Sequence, residues 1–127
     1  MAKILVVEDD FNGRNLLEYL LQKRGFDVIT AVDGVEGRSL AKSETPDVLI
    51  TDIRMPNESG VEMINDLRKD SEMRDTPIVV YTAYDSDYYD EAVEAGADKV
   101  FSKPIELFDV VCYVSKLLDQ SGNQLWL

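Results

Sequence analysis

The chain has 127 residues, of which 45% are hydrophobic and 30% are charged, and its formal net charge is −12 at pH 7. This length fits one domain with a single core and leaves no room for a second. The acidic balance argues against nucleic-acid binding, which needs clustered Lys and Arg against the phosphate backbone. The sequence shows no bilayer-spanning apolar run, no signal-peptide pattern and no cysteine other than Cys112. We therefore expect a cytoplasmic protein that binds no membrane.

Strand and helix signals alternate along the chain, beginning with an apolar run at residues 4–7. That run stops at the acidic triplet 8–10, as expected for a strand buried on both faces. Leucines then recur at helical spacing, and Gly25 is well placed to end that helix. These leucines are Leu16, Leu17, Leu20 and Leu21. The next segment, 26–31, is less apolar, so we expect it to be an edge strand.

The middle of the chain contains the stretch on which we expect function to centre. After a short helix around Leu40, the apolar run 48–50 indicates a buried strand that stops before Asp52. Pro56 then breaks regular structure, and Gly60 supplies a flexible backbone position before the next helix. Asp52 is therefore expected at the carboxyl edge of a sheet, where open α/β sheets bind ligands.

The same alternation continues after Gly60. One side of the third helix is lined by Val61, Ile64 and Leu67. The run 78–81 indicates another buried strand, which gives way to Thr82. The fourth helix is predicted to start near Asp85 or Ser86, both good capping residues, and to end at Gly96.

The last strand is predicted at residues 100–102, and Lys103 with the following proline ends it. The last helix is strongly amphipathic. Its core stripe consists of Leu107, Val110, Val111, Val114, Leu117 and Leu118. Phe108, Cys112 and Tyr113 fall outside that stripe, so we expect them to be partly exposed and available to a partner.

This alternation predicts the fold class and the domain limits. Five strands separated by helices of about ten to fifteen residues indicate an α/β protein with a parallel, doubly wound sheet, because right-handed crossovers place helices on both faces. One domain is expected to cover residues 1–119. Residues 120–127 show no clear period and are assigned to a C-terminal tail.

Polar residues follow the apolar runs and should converge on one edge of such a sheet. They are Glu8, Asp9, Asp52, Thr82 and Lys103. Clustered carboxylates favour a hard divalent cation, usually Mg²⁺ where phosphate is involved, whereas the absence of histidine excludes Cys/His metal clusters. A carboxylate can attack phosphorus. Mg²⁺ and a lysine ammonium would then neutralise charge on the transferring phosphoryl group, and a hydroxyl would donate a hydrogen bond to it.

Each of these residues also has an ordinary structural interpretation. Asp52 could belong to a turn or cap a helix, Thr82 could cap the fourth helix, and Lys103 could lie in solvent. The acidic surface could simply be a solvated one. The expected convergence of three acids, one hydroxyl and one lysine is what favours a functional interpretation.

At these residues the chain resembles the receiver domains of two-component response regulators, which have a CheY-like fold. The resemblance covers about residues 3–119 and includes five motifs in the expected order. They are VVED at 6–9, DVLITDIRMPNESG at 47–60, YTA at 81–83, AGAD at 95–98 and SKP at 102–104. It implies a flavodoxin-like sheet of five parallel strands in the order 2-1-3-4-5, with five helices.

The resemblance also implies a role for each site residue. Asp52 would accept a phosphoryl group from a phosphohistidine of a sensor histidine kinase or of a histidine phosphotransfer protein. Thr82 and Lys103 would bind the phosphoryl oxygens. The Mg²⁺ site would consist of Asp9, Asp52 and the backbone carbonyl of Arg54, with Glu8 acting through the water shell of the metal. The domain would catalyse only its own phosphorylation and dephosphorylation.

In the family, the effect of phosphorylation reaches a surface formed by the fourth helix, fifth strand and fifth helix when the threonine hydroxyl, here that of Thr82, moves toward the phosphate. We expect an output protein to bind at this surface. We leave open whether phosphorylation drives dimerisation through the last two helices. The family often has Tyr or Phe three residues before its lysine, as a rotamer switch. Val100 stands there in this chain and Phe101 follows, so the chain departs from the family at that switch.

Three classes of function are compatible with the sequence. The favoured one is a stand-alone, phosphorylation-controlled binding module, since no effector domain follows residue 119. The second is the receiver portion of a longer DNA-binding or enzymatic regulator. The third is a Mg²⁺-dependent phosphatase of the haloacid dehalogenase type, which carries a second Asp two residues after its nucleophile. Arg54 occupies that position here and argues against the third class.

Overall fold

The structure is a computed structural model that describes residues 2–53, 59–83, 86–103 and 107–118. Strands and helices alternate throughout the described part of the chain. The strands are Lys3–Val7 (β1), Asp27–Ala31 (β2), Val48–Thr51 (β3), Ile78–Ala83 (β4) and Lys99–Lys103 (β5). The helices are Phe11–Lys23 (α1), Gly34–Glu44 (α2), Gly60–Lys69 (α3), Ser86–Ala95 (α4) and Leu107–Leu118 (α5).

All five strands form one parallel sheet in the order β2-β1-β3-β4-β5, which confirms the predicted fold. The less apolar strand β2 lies at an edge, as expected. Val7 at the end of β1 pairs with Thr51 at the end of β3. The residues that follow them, Glu8 and Asp52, therefore leave the sheet side by side.

Two apolar clusters cover the two faces of the sheet, because successive strand residues point to opposite sides. Leu5 and Val7 face the cluster under α2, α3 and α4, whereas Ile4 and Val6 face the cluster under α1 and α5. The core stripe predicted for α5 belongs to this second cluster. Among the described helices, none combines the length and the apolarity needed to cross a membrane.

Some boundaries and faces differ in detail from the sequence expectations. Strand β4 continues through Thr82 and Ala83, and β5 includes Lys103, because the ladder still pairs Ala83 with Lys103 beyond the apolar runs. Of the four leucines in α1, Leu17 and Leu21 are buried whereas Leu16 is half exposed. The positions Pro56 and Asp85 and the tail 120–127 lie outside the described residues.

The partial exposure expected for the outer face of α5 is confirmed. Phe108 is 52% exposed, and Cys112 and Tyr113 are partly exposed. Arg24, from the end of α1, crosses this surface, with its guanidinium carbon 5.5 Å from the Phe108 ring centroid and one nitrogen 3.7 Å from the Cys112 sulfur. The sequence neighbours of Cys112 gave no sign of this basic contact, which depends on the packing of α1 against α5.

Candidate functional site

Three carboxylates meet at the carboxyl edge of β1 and β3. One oxygen from each of Glu8, Asp9 and Asp52 lies within 4.8 Å of the other two. Glu8 is 2% exposed and Asp52 is 6% exposed, whereas Asp9 is open to solvent. Carboxylates this close repel one another, and a hard cation with oxygen ligands relieves the repulsion. The donor set therefore fits Mg²⁺.

The backbone around Asp52 is fixed from several directions. The Asp52 amide donates to the carbonyl of Val7 at 3.2 Å, and the Thr51 hydroxyl donates to the Asp52 carbonyl at 2.7 Å. The Ile53 amide donates to Oδ1 of Asp52 at 2.6 Å. Gly60, the first residue of α3, donates its amide to the Ile53 carbonyl at 2.9 Å. These contacts hold the carboxylate at the strand end in one place.

The carboxylate of Glu8 is held by donors on both oxygens. The Tyr81 hydroxyl donates to Oε1 at 2.5 Å, and the Asp10 amide donates to Oε2 at 3.1 Å. Asp10 itself caps α1, accepting from the Gly13 amide at 2.8 Å. The acidic triplet therefore divides into two cluster members and one capping residue.

Burial is the largest cause of the pKa shifts in this cluster. It raises the pKa of Glu8 above its ordinary value, and the hydrogen bonds from Tyr81 and the Asp10 amide oppose that rise. Burial also raises the pKa of Tyr81, as do the neighbouring charges of Glu8 and Asp52. Tyr81 is therefore a protonated donor at neutral pH.

Sequence reasoning missed Tyr81 as a partner of Glu8. It treated the residue as part of a buried strand, although a hydroxyl at the end of the aliphatic run Ile-Val-Val was an available signal. Because side chains alternate along β4, Tyr81 faces the cluster under α1 and α5. Phe101, its register partner on β5, faces the same side and meets the Tyr113 ring edge-on at 5.7 Å. Val100 packs on the opposite face, so Phe101 does not occupy the position of the family's aromatic switch.

The other predicted site residues are only partly described. Thr82 and Lys103 lie at the carboxyl ends of neighbouring strands β4 and β5, where Thr82 pairs with Ser102 and Ala83 pairs with Lys103. The side chains of Thr82 and Lys103, and the whole of Arg54, lie outside the described structure. The roles implied for these three residues stay predictions.

The raised pKa of Glu8 predicts how the stability of the metal-free protein depends on pH. Below its ordinary pKa of 4.5, the Glu8 carboxyl is protonated in both the folded and the unfolded protein. As the pH rises from there through the raised folded pKa, the unfolded state gives up this proton more readily than the folded state, so the folded protein loses stability. A tenfold difference in acid dissociation constant between the folded and unfolded states corresponds to about 1.4 kcal/mol of stability. Glu8→Gln should therefore raise the free energy of unfolding at pH 7 and flatten its pH dependence.

Urea unfolding in EDTA, repeated from about pH 5 to pH 8, measures this effect. Glu91→Gln on the exposed face of α4 removes the same formal charge without touching the cluster. Equal stabilisation by both variants would attribute the effect to net charge and contradict the assignment to Glu8.

The comparisons with known proteins all indicate the same family. The family model of the response regulator receiver domain matches residues 4–115. The alkaline phosphatase synthesis transcriptional regulatory protein PhoP of Bacillus subtilis is 38% identical over 121 residues, which cover 94% of this chain and 49% of PhoP. The chain thus spans about half the length of that curated relative.

Solved structures give the same fold. The chemotaxis protein CheY4 of Vibrio cholerae is 31% identical, with a TM-score of 0.84 over 91% of this chain and 98% of that chain. The N-terminal domain of a protein from Wolinella succinogenes is 32% identical, with a TM-score of 0.86 over 95% of this chain and 97% of that chain.

Proposed function

This chain belongs to the response regulator receiver domain family, and from that premise we propose that Asp52 accepts a phosphoryl group in a Mg²⁺-dependent reaction. Receiver domains are the phosphoryl-accepting signalling modules of two-component systems, and they bind Mg²⁺ at an acidic pocket. The observation that carries the proposal is the carboxylate cluster, in which nearly buried Asp52 lies beside Glu8 and Asp9 at the end of β3.

The proposed chemistry assigns a task to each group. An Asp52 carboxylate oxygen attacks phosphorus, an O–P bond forms, and the P–N bond of the donor phosphohistidine breaks, leaving its electron pair on the imidazole nitrogen. Bound Mg²⁺ supplies charge neutralisation for the carboxylates and the phosphoryl oxygens. Its proposed ligands are Asp9, Asp52 and the Arg54 carbonyl, with Glu8 in the outer shell. We assign Lys103 and Thr82 to the phosphoryl oxygens.

Receiver domains interact with histidine kinases or phosphotransfer proteins and with output partners. For this chain we propose a sensor histidine kinase or histidine phosphotransfer protein as donor, and an output protein that docks on the surface of α4, β5 and α5. The domain would catalyse only its own phosphorylation and dephosphorylation. A cytoplasmic location, expected from the sequence, stays a prediction.

We favour a stand-alone regulator that signals through altered protein binding. The second candidate is the receiver portion of a longer DNA-binding or enzymatic regulator, and the 49% coverage of PhoP is the observation in its favour. The transcript would separate the two candidates, because a natural stop codon directly after Leu127 is required by the first alone.

The decisive experiment is intact-mass measurement after incubation with Mg²⁺ and either acetyl phosphate or a phosphorylated histidine phosphotransfer protein. We expect the wild type to gain one phosphoryl group, EDTA to prevent the gain, and Asp52→Asn to show none. Asp90→Asn, at an exposed position of α4, is the matched control and should behave as the wild type. Phosphorylation of Asp52→Asn, or failure of both donors with the wild type, would refute the proposal.

A further inference from the structure

We propose that Tyr81 is a positioning residue of the metal site, whose hydroxyl holds the Glu8 carboxylate in the orientation that cation binding requires. The proposal rests on the Mg²⁺-dependent function argued above. It concerns a contact between Glu8, which directly follows β1, and Tyr81 of β4. In the sheet these two strands are separated by β3, which leads directly into the proposed phosphorylation site. Tyr81 thus reaches across the strand of Asp52 to the acid beside it.

The contact has the geometry of a strong, fixed hydrogen bond. The Tyr81 oxygen lies 2.5 Å from Oε1 of Glu8, within the short range of bonds between a hydroxyl and a carboxylate. Both residues are 2% exposed, so solvent competes little for either group. The ring packs in the cluster under α1 and α5, which restricts the direction in which the hydroxyl points.

A second donor completes the orientation. The Asp10 amide, at the start of α1, donates to Oε2 of Glu8 at 3.1 Å. With one described donor on each oxygen, the plane of the carboxylate is set at both ends. The carboxylates of Asp9 and Asp52 lie close by, so this plane determines how Glu8 faces a cation, or the water shell of a cation, held by the cluster.

Burial alone does not require a hydroxyl at this position. The preceding residues of β4 are Ile78, Val79 and Val80, which fill the same two clusters without any polar atom. A tyrosine hydroxyl taken out of water costs free energy unless it finds a partner, and Glu8 is that partner. A phenylalanine would keep the ring and lose the bond to the carboxylate.

Removing a hydrogen bond that orients a residue of a metal site commonly lowers the cation affinity about 10- to 100-fold. We therefore expect Tyr81→Phe to raise the dissociation constant for Mg²⁺ about 10-fold. The rate of phosphorylation by acetyl phosphate should need correspondingly more Mg²⁺ to reach half its maximum. Its plateau at saturating Mg²⁺ should stay near the wild-type rate, because the nucleophile Asp52 is unaltered.

The test is a calorimetric Mg²⁺ titration of wild type, Tyr81→Phe and Tyr113→Phe. Tyr113 packs against the same cluster outside the acidic site, so its variant controls for loss of a tyrosine hydroxyl from that core. A second pair, Glu8→Gln with and without Tyr81→Phe, tests whether the effect passes through Glu8. In that background we expect Tyr81→Phe to change the Mg²⁺ affinity by less than about twofold, since the carboxylate is already gone.

The outcomes separate this proposal from the proposed function. A wild type that binds Mg²⁺ and is phosphorylated on Asp52, beside a Tyr81→Phe variant with the same affinity, would overturn the role of Tyr81 alone. An equal loss of affinity with and without Glu8 would also overturn it, because the effect would then be structural. A wild type that binds no Mg²⁺ would overturn both proposals. Melting temperatures in EDTA verify that the variants compared are folded.

Discussion

Replacing Gly60 by alanine is expected to lower the free energy of unfolding by about 3 kcal/mol, the upper range for an added group without space around it. A Cβ atom there would overlap the carbonyl oxygen of Asp52 and lie 2.9 Å from the Cα of Ile53. Both neighbours are backbone atoms, so neither can rotate away. The first turn of α3 would be pushed off the segment that carries Asp52, and we also expect slower phosphorylation by acetyl phosphate.

Urea unfolding of wild type and Gly60→Ala measures the loss directly. Gly13→Ala is the matched control, because Gly13 is also helical and its added Cβ would meet only side-chain atoms, the closest at 3.2 Å. Alanine also favours a helix over glycine by about 0.8–1 kcal/mol, so this control should lose little or gain stability. A Gly60→Ala protein as stable as the wild type would show that α3 moves away from Ile53 at small cost.

Gly60 illustrates the limit of sequence reasoning near the site. The residue was expected to supply a flexible backbone position, whereas the structure shows a helical residue pressed against the Asp52–Ile53 backbone. A glycine in the sequence signals a backbone requirement, but not whether that requirement is freedom or close approach. Only the tertiary contact between α3 and the end of β3 distinguishes the two.

The fold itself was largely predictable, because each apolar run and each helical period is a local pattern. The runs at 48–50 and 78–81 predicted buried strands, and the resemblance supplied the strand order that the structure confirms. Strand ends were less predictable. The β4–β5 ladder continues past the apolar residues to Lys103, since backbone pairing does not require burial.

The carboxylate cluster was predictable for the same reason, since Glu8 and Asp52 each follow a buried strand. The bond between Tyr81 and Glu8 was not, because it joins residues 73 positions apart and depends on the reach of a phenol across β3. Arg68 is a similar case. In the sequence it is one of two cations in the last turn of α3, and nothing local indicates how many groups it contacts.

Arg68→Ala is expected to lower the free energy of unfolding by about 3 kcal/mol. A typical hydrogen bond contributes about 1 kcal/mol to stability, and water replaces some of the hydrogen bonds that the substitution removes. The guanidinium donates at 2.7–3.1 Å to five residues. They are the carbonyls of Met73, Arg74, Thr76 and Gly96 and the carboxylate of Asp98. Asp98 also accepts from the Ile78 amide at 2.8 Å, at the start of β4.

Arg68 thus ties α3 to the segments that lead into β4 and β5, the strands that carry Thr82 and Lys103 near their carboxyl ends. The melting temperature should fall by roughly 10 °C for a domain of this size. Arg74→Ala removes an exposed arginine nearby and should change it little. Arg68→Lys keeps the charge but not the planar fork that serves several acceptors, so most of the loss should persist. Full recovery with lysine would assign the stability to charge rather than to the hydrogen bonds, contrary to this account.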